Sequence, residues 1–211
     1  MIISTVFTEQ FVIALTSLFA LIDPIGNAVI FASLTPKQTL KERRKIAFKA
    51  VIIASVLMLV FMGLGEFFLK HLGISLAALR TSGGILLLLL GINMVFQEES
   101  DQDTDQALAK NANKDITVFP LATPLIAGPG GIGMIILLQA NTNGVAQQEI
   151  AIVAALVGIM VLTLICLLLA SSLQRLFGST GLSVMNRIMG VLLAALAVQF
   201  IFDGLSQSGL F

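Results

Sequence analysis

Asp23-Pro24-Ile25-Gly26-Asn27 sets a carboxylate, a proline, a glycine and an amide within five residues of one apolar segment, and Pro124-Leu-Ile-Ala-Gly128-Pro129-Gly130-Gly131 sets two prolines and three glycines in another. Proline removes a helical donor and clashes with the preceding turn, while a neighbouring glycine lets the backbone leave the helical region cheaply. Both segments should therefore break midway. A break at membrane depth frees amides and carbonyls, which persist only where protein, water or a ligand satisfies them. The half-helices that begin near Gly26 and Asn27, and near Gly130 and Gly131, would offer N–H groups and a positive dipole end suited to a carboxylate. The halves that stop before the breaks would offer carbonyls suited to a cation or an ammonium. A small zwitterion, most commonly a free amino acid, matches both. The candidate substrate-binding residues are Asp23, Pro24, Gly26, Asn27, Thr123, Pro124, Gly128, Pro129, Gly130 and Gly131.

Asp23 carries two compatible readings. A charge inside a span costs roughly 2.5–3.5 kcal/mol on insertion scales and points to function, here proton or ammonium binding. The same carboxylate can cap the second half-helix, which explains an Asp followed by Pro at the first helical position. Gly128 occupies the equivalent place in the other segment, so a charge-based role is asymmetric. Arg187 is either a snorkelling side chain or a coupling or gating residue. Arg80 would be interfacial and near Glu66, and Asn93 and Gln199 would hydrogen-bond between helices. His71 falls in a short loop and Cys166 is a buried thiol, so no metal site, catalytic constellation or disulfide is indicated.

The elements that must position these residues are membrane helices. The 211 residues are 57% hydrophobic and 11% charged, with a mean hydropathy of +0.99, which excludes an ordinary soluble domain. Six spans are expected, near 7–33, 46–69, 76–96, 116–139, 150–173 and 182–203. Glu9 and the lack of any Lys or Arg before the first span argue against a cleaved secretory leader. Ten cations, among them Lys41, Arg43, Arg44, Lys45, Lys49, Arg175 and Arg187, fall on the side of the loops after spans one, three and five, whereas only Lys70 and Arg80 fall on the other. The positive-inside rule then puts both termini outside and the acidic stretch 97–115 in the cytoplasm.

The chain also reads as two copies of one unit. A shift of 105 lays Pro24 on Pro129, Gly26 on Gly131, Lys70 on Arg175 and Gly73 on Gly178; a shift of 106 lays Gly84 on Gly190, Asn93 on Gln199 and Phe96 on Phe202. Three spans per unit is an odd number, so the second copy must run the opposite way through the membrane, as in many secondary transporters. The expected organisation is an all-α membrane protein, with a first three-helix repeat at 1–96, an acidic cytoplasmic linker at 97–115 and a second, inverted repeat at 116–211. The first helix of each repeat should be broken.

DPIGNAVIF, SGGILLLLLGI, PLIAGPGGI and NRIMG resemble the MarC family of six-span inner-membrane proteins, through essentially the whole chain outside 97–115. The resemblance implies a place in the bacterial or archaeal inner membrane and transport of small neutral amino acids such as glycine and alanine. It carries over Asp23, Pro24, Gly26 and Asn27 from the first motif and Pro124, Gly128, Pro129 and Gly130 from the second. The last motif often reads ERxMG, and Asn186 departs from it here. The expected function is secondary transport by alternating access, coupled to protons through Asp23 or to sodium through exposed carbonyls. No resident cofactor, nucleotide or nucleic acid is expected, since no GxxxxGK[ST] loop is present. The alternatives are an exporter of another small metabolite or drug and, with least support, a membrane-embedded enzyme.

Overall fold

A computed structural model describes residues 2–35, 38–96, 117–142 and 144–209. The linker at 97–115 lies outside them. The described residues form eight helical elements and no strand: α1 (Ile2–Ile22), α2 (Pro24–Leu34), α3 (Leu40–His71), α4 (Leu76–Phe96), α5 (Thr117–Ile126), α6 (Pro129–Ala140), α7 (Ala146–Leu168) and α8 (Ala170–Gln207). Five stretches are long and apolar enough to cross a bilayer: Val6–Ala32, Leu40–His71, Leu76–Phe96, Ala146–Leu168 and Gly190–Gln207. The expected fourth span is divided between α5 and α6, and neither piece alone reaches that length.

Periodicity sets what each helix buries. The buried residues of α3, from Ala47, Ala50, Ala54 and Met58 to Met62 and Gly65, recur every three or four positions and form one stripe. The other faces carry large apolar side chains that no part of the chain covers, such as Ile52 and Val56 on α3, Ile85 and Leu89 on α4, and Val191 and Phe202 on α8. That much exposed apolar surface suits lipid and no aqueous solvent.

Because lipid is as apolar as leucine, helices in it associate through close packing, and small residues permit the closest approach. The tightest pairing, α4 with α8, follows this rule. Ala77, Gly84 and Gly91 recur at heptad spacing along α4 and meet Gly204, Ala197 and Gly190 on α8 in antiparallel order. A Cβ placed on Gly84 would lie 2.8 Å from the Ala197 carbonyl oxygen, and one on Gly190 would lie 2.8 Å from that of Gly91. These two contacts exchange under the 106-residue shift. Elsewhere α1 and α2 pack on α7, while α3 packs on α5 and α6.

Several expectations change on this scaffold. Gln199 donates its Nε2 to Asp203 Oδ1 at 2.8 Å within α8, and Asn93 is exposed. The glycine stripe fixes the faces that meet and turns both amides away from them. Glu66 pairs with Lys70 at 2.7 Å, one turn along its own helix, instead of with Arg80. His71 ends α3 and packs against Phe67 in a tilted arrangement, with ring centroids 4.0 Å apart, so it lies in no loop. Cys166 is only partly buried. The stretch expected to link spans five and six is helical and belongs to α8.

Candidate functional site

The break in the first span occupies a single residue. Asp23 adopts φ 44° and ψ 71°, the left-handed region that Asp and Asn enter more readily than other non-glycine residues. Its amide still donates to the Phe19 carbonyl at 3.0 Å and its own carbonyl still accepts from the Asn27 amide at 3.0 Å. What changes lies between. Pro24 has no N–H, and the Gly26 amide leaves the ladder to donate to Asp23 Oδ1 at 3.0 Å. The Ile22 carbonyl, which Gly26 would have served in a continuous helix, accepts instead from Asn27 Nδ2 at 2.5 Å. Asp23 and Asn27 thus satisfy two of the main-chain groups that the break frees. Gly26 is required, because a Cβ there would collide with the Asp23 carboxylate that caps α2.

The second break is built differently. α5 is a wide helix closed by i→i−5 bonds, as in Ala127 N–H to the Ala122 carbonyl at 2.9 Å; the Thr123 hydroxyl also donates five residues back, to Val118, at 3.2 Å. Neither Pro120 nor Pro124 has an N–H, so an α ladder through this segment would lack donors at both positions. Gly128 then takes the N-cap place with an extended backbone, and Pro129 opens α6. Asp23 with Pro24 and Gly128 with Pro129 are the same two positions under the 105-residue shift. Gly128 has no side chain to cap with, so the Gly130 and Gly131 amides in the first turn of α6 receive no side-chain acceptor from it. Both half-helices begin on the proline, whose fixed φ is already helical, as the capping reading of Asp23 expects for the first, and the glycines named for their starts fall in the first turns.

The fold brings the two breaks together crosswise. Asn27 Nδ2, in the first turn of α2, lies 3.5 Å from the Leu125 carbonyl near the end of α5. In return, a Cβ on Gly131 would lie 3.8 Å from Ile22 Cγ1 at the end of α1, and one on Gly130 would lie 3.5 Å from Leu21 Cδ2. Each positive helix end therefore abuts the carbonyl end of the other broken span. Of the predicted residues, Pro24, Gly26, Asn27 and Gly131 are buried here, Asp23, Thr123, Gly128 and Gly130 are partly buried, and Pro129 is exposed. Pro124 lies in α5, near this junction in sequence. Arg187 is exposed on α8. Asp203 lies beside Gly204, which packs against Ala77 and Thr81 in the first turns of α4, away from the breaks.

Sequence reasoning missed the residues that close this space. Met58 of α3 and Leu87 of α4 press on the second break, with a Cβ on Gly130 placed 2.7 Å from Leu87 Cδ2 and one on Gly131 placed 3.5 Å from Met58 Cε. A methionine and a leucine in apolar runs give no sign of such contacts. The polar groups gathered here are the first-turn amides of α6, which have no side-chain cap, the Asp23 carboxylate and the Leu125 carbonyl, with Leu87 packed over Gly130.

Comparison with known proteins agrees with this architecture of membrane helices. Residues 8–208 match the description "MarC family integral membrane protein". The UPF0056 membrane protein MJ1677 of Methanocaldococcus jannaschii is 37% identical over 198 residues, which is 93% of this chain and 96% of that one. The UPF0056 membrane protein YvbG of Bacillus subtilis is 34% identical over 192 residues, 90% of each chain. No solved structure matches.

Proposed function

The chain belongs to the MarC family of integral membrane proteins, and from that premise we propose that it is a secondary transporter of small neutral amino acids such as glycine and alanine, working by alternating access. The single observation that carries the reading is the crosswise meeting of two helix breaks, Asn27 to the Leu125 carbonyl and Gly131 to Ile22. Broken helices that meet near the bilayer midplane are where such transporters bind substrate.

In this reading the chain crosses the inner membrane six times in two inverted three-helix repeats, 1–96 and 116–211, with both termini outside. The interchangeable contacts of Gly84 with Ala197 and Gly190 with Gly91 support it, as does the antiparallel order of α4 and α8. Each repeat contributes one broken span, α1 with α2 and α5 with α6.

The two breaks take different ends of the zwitterion. The substrate carboxylate sits on the Gly130 and Gly131 amides, which Gly128 leaves without a side-chain cap. The ammonium faces the Asp23 carboxylate and the Leu125 carbonyl. A proton on Asp23 competes with that ammonium, which couples transport to the pH gradient; sodium bound to the carbonyl ends is the other coupling consistent with these groups. Arg187, exposed on α8, remains a candidate gate. No enzymatic step or resident cofactor is part of this reading.

The test is uptake of labelled glycine and alanine into proteoliposomes, with and without an imposed pH gradient. Accumulation driven by the gradient supports the proposal. Folded protein that neither accumulates nor exchanges either amino acid refutes it.

A further inference from the structure

A second built feature lies at the end of α2, where Arg43 reaches back from the start of α3. Its Nε donates to the Thr35 hydroxyl at 2.7 Å and its Nη2 to the Ala32 carbonyl at 3.3 Å, while the guanidinium lies 5.8 Å from the centroid of the Phe31 ring. Thr35 is fully buried, so these bonds fix the arginine on the negative end of the α2 dipole. Beside it is a cavity of about 60 Å³ lined by Arg43, Arg44, Phe31, Leu40, Leu167 and Leu168. By the measure that gives about 10–15 Å³ to one water, this holds a group the size of a phosphate.

The start of α3, which supplies both cavity arginines, is rich in positive charge. Lys41, Lys45 and Lys49 join the two arginines in the first turns of α3, and the acid among them, Glu42, is engaged by the Thr39 amide and hydroxyl at 2.8 Å each. The charged side chains lining the cavity are those of Arg43 and Arg44, and the other lining side chains are a phenylalanine and three leucines. Its rim continues that character, for Leu40 is 71% exposed and Leu168 43% exposed. A free anion gains nothing from such a rim, whereas a lipid covers it with its acyl chains. Basic clusters of this kind at the end of a membrane span attract anionic headgroups.

We propose that the cavity between α2, the start of α3 and the end of α7 binds the phosphate of an anionic phospholipid, held by Arg43 and Arg44, with the acyl chains lying over Leu40 and Leu168. This site is separate from the helix breaks and does not depend on what the protein transports.

The experiment is native mass spectrometry of the purified full chain, titrated with phosphatidylglycerol, phosphatidylcholine or inorganic phosphate. Wild type should retain phosphatidylglycerol in preference to phosphatidylcholine, and Arg44→Gln should weaken that retention about fivefold, as expected for one basic residue near a lipid headgroup. Arg44 is exposed and makes none of the contacts that hold α2, so this variant tests binding without risking the fold. Arg80→Gln, beyond the far end of α3, should leave retention unchanged. Equal retention of phosphatidylglycerol by wild type and Arg44→Gln would overturn the proposal. So would displacement of the lipid by millimolar inorganic phosphate, which would make the cavity a site for a free anion.

Discussion

At the scale of single residues, Asp23 and Asn27 divide the work of the first break. Asp23 takes the Gly26 amide and Asn27 serves the Ile22 carbonyl, so removing either side chain leaves a main-chain group short of a partner inside the membrane. Asn27→Leu should lower stability by about 1–3 kcal/mol, the usual cost of a buried carbonyl left without its donor, read as a lower thermal unfolding midpoint in detergent. Asp23→Asn is expected to keep the fold, because asparagine also caps helices and tolerates the left-handed backbone. It deletes the charge that the proton and the substrate ammonium share, so uptake driven by a pH gradient should fall by at least about tenfold at any substrate concentration, while equilibrium exchange should weaken through a raised KM and recover at high substrate. An equal loss of both activities would reduce Asp23 to its capping role. The cap was legible in the sequence because Asp before Pro is a local signal. The partner of Asn27 was not, since Leu125 lies almost a hundred residues away and nothing local points to it.

Among the helices, the pairing of α4 with α8 rests on backbone approach, and its two neighbouring glycines separate the possible causes. A Cβ on Gly83 meets nothing within 4 Å, whereas one on Gly84 lies 2.8 Å from the Ala197 carbonyl oxygen. Gly83→Ala should be neutral or stabilise by up to about 1 kcal/mol through helix propensity alone. Gly84→Ala must push α8 away and should cost about 1–3 kcal/mol, as overpacked sites do. Comparing the unfolding midpoints of the two variants tests the pairing, and equal midpoints would deny the close approach. The 76–96 span was expected with the bounds it has, since the apolar run Ile85–Leu90 lies inside it and Ser75 and Gln97 flank it. The wide i→i−5 helix of α5 was not foreseen; prolines at 120 and 124 signal a missing donor, and several backbone solutions are open to a chain that lacks one.

For the whole molecule, the decisive property is that the breaks touch and are closed over. Leu87 sits where a substituent on Gly130 would go, and the end of α1 lies against the first turn of α6. Gly130→Ala should slow uptake, and adding Leu87→Ala should restore part of it, because the clash is with the tip of one flexible side chain. A cysteine pair at Ile22 and Gly131, made with Cys166→Ala, should cross-link under oxidation and arrest uptake until reduced, as required if the two broken spans separate during the cycle. Cross-linking that leaves uptake intact would rule that motion out.

The amino-acid sequence by itself determined that this is a helical membrane protein, where most of its long apolar helices run, and that the two proline–glycine segments interrupt a helix. Hydropathy runs, prolines and a recurring register are local or periodic, and the bilayer enforces their meaning by forbidding unsatisfied backbone in lipid. Only the tertiary structure decided that each break faces the carbonyl end of the other, that Met58 and Leu87 close the space, that Gln199 turns to Asp203, and that Arg43 locks the end of α2 beside an arginine-lined cavity. Those outcomes depend on which helix faces meet, and without a hydrophobic drive inside lipid that choice is made by steric fit between distant segments.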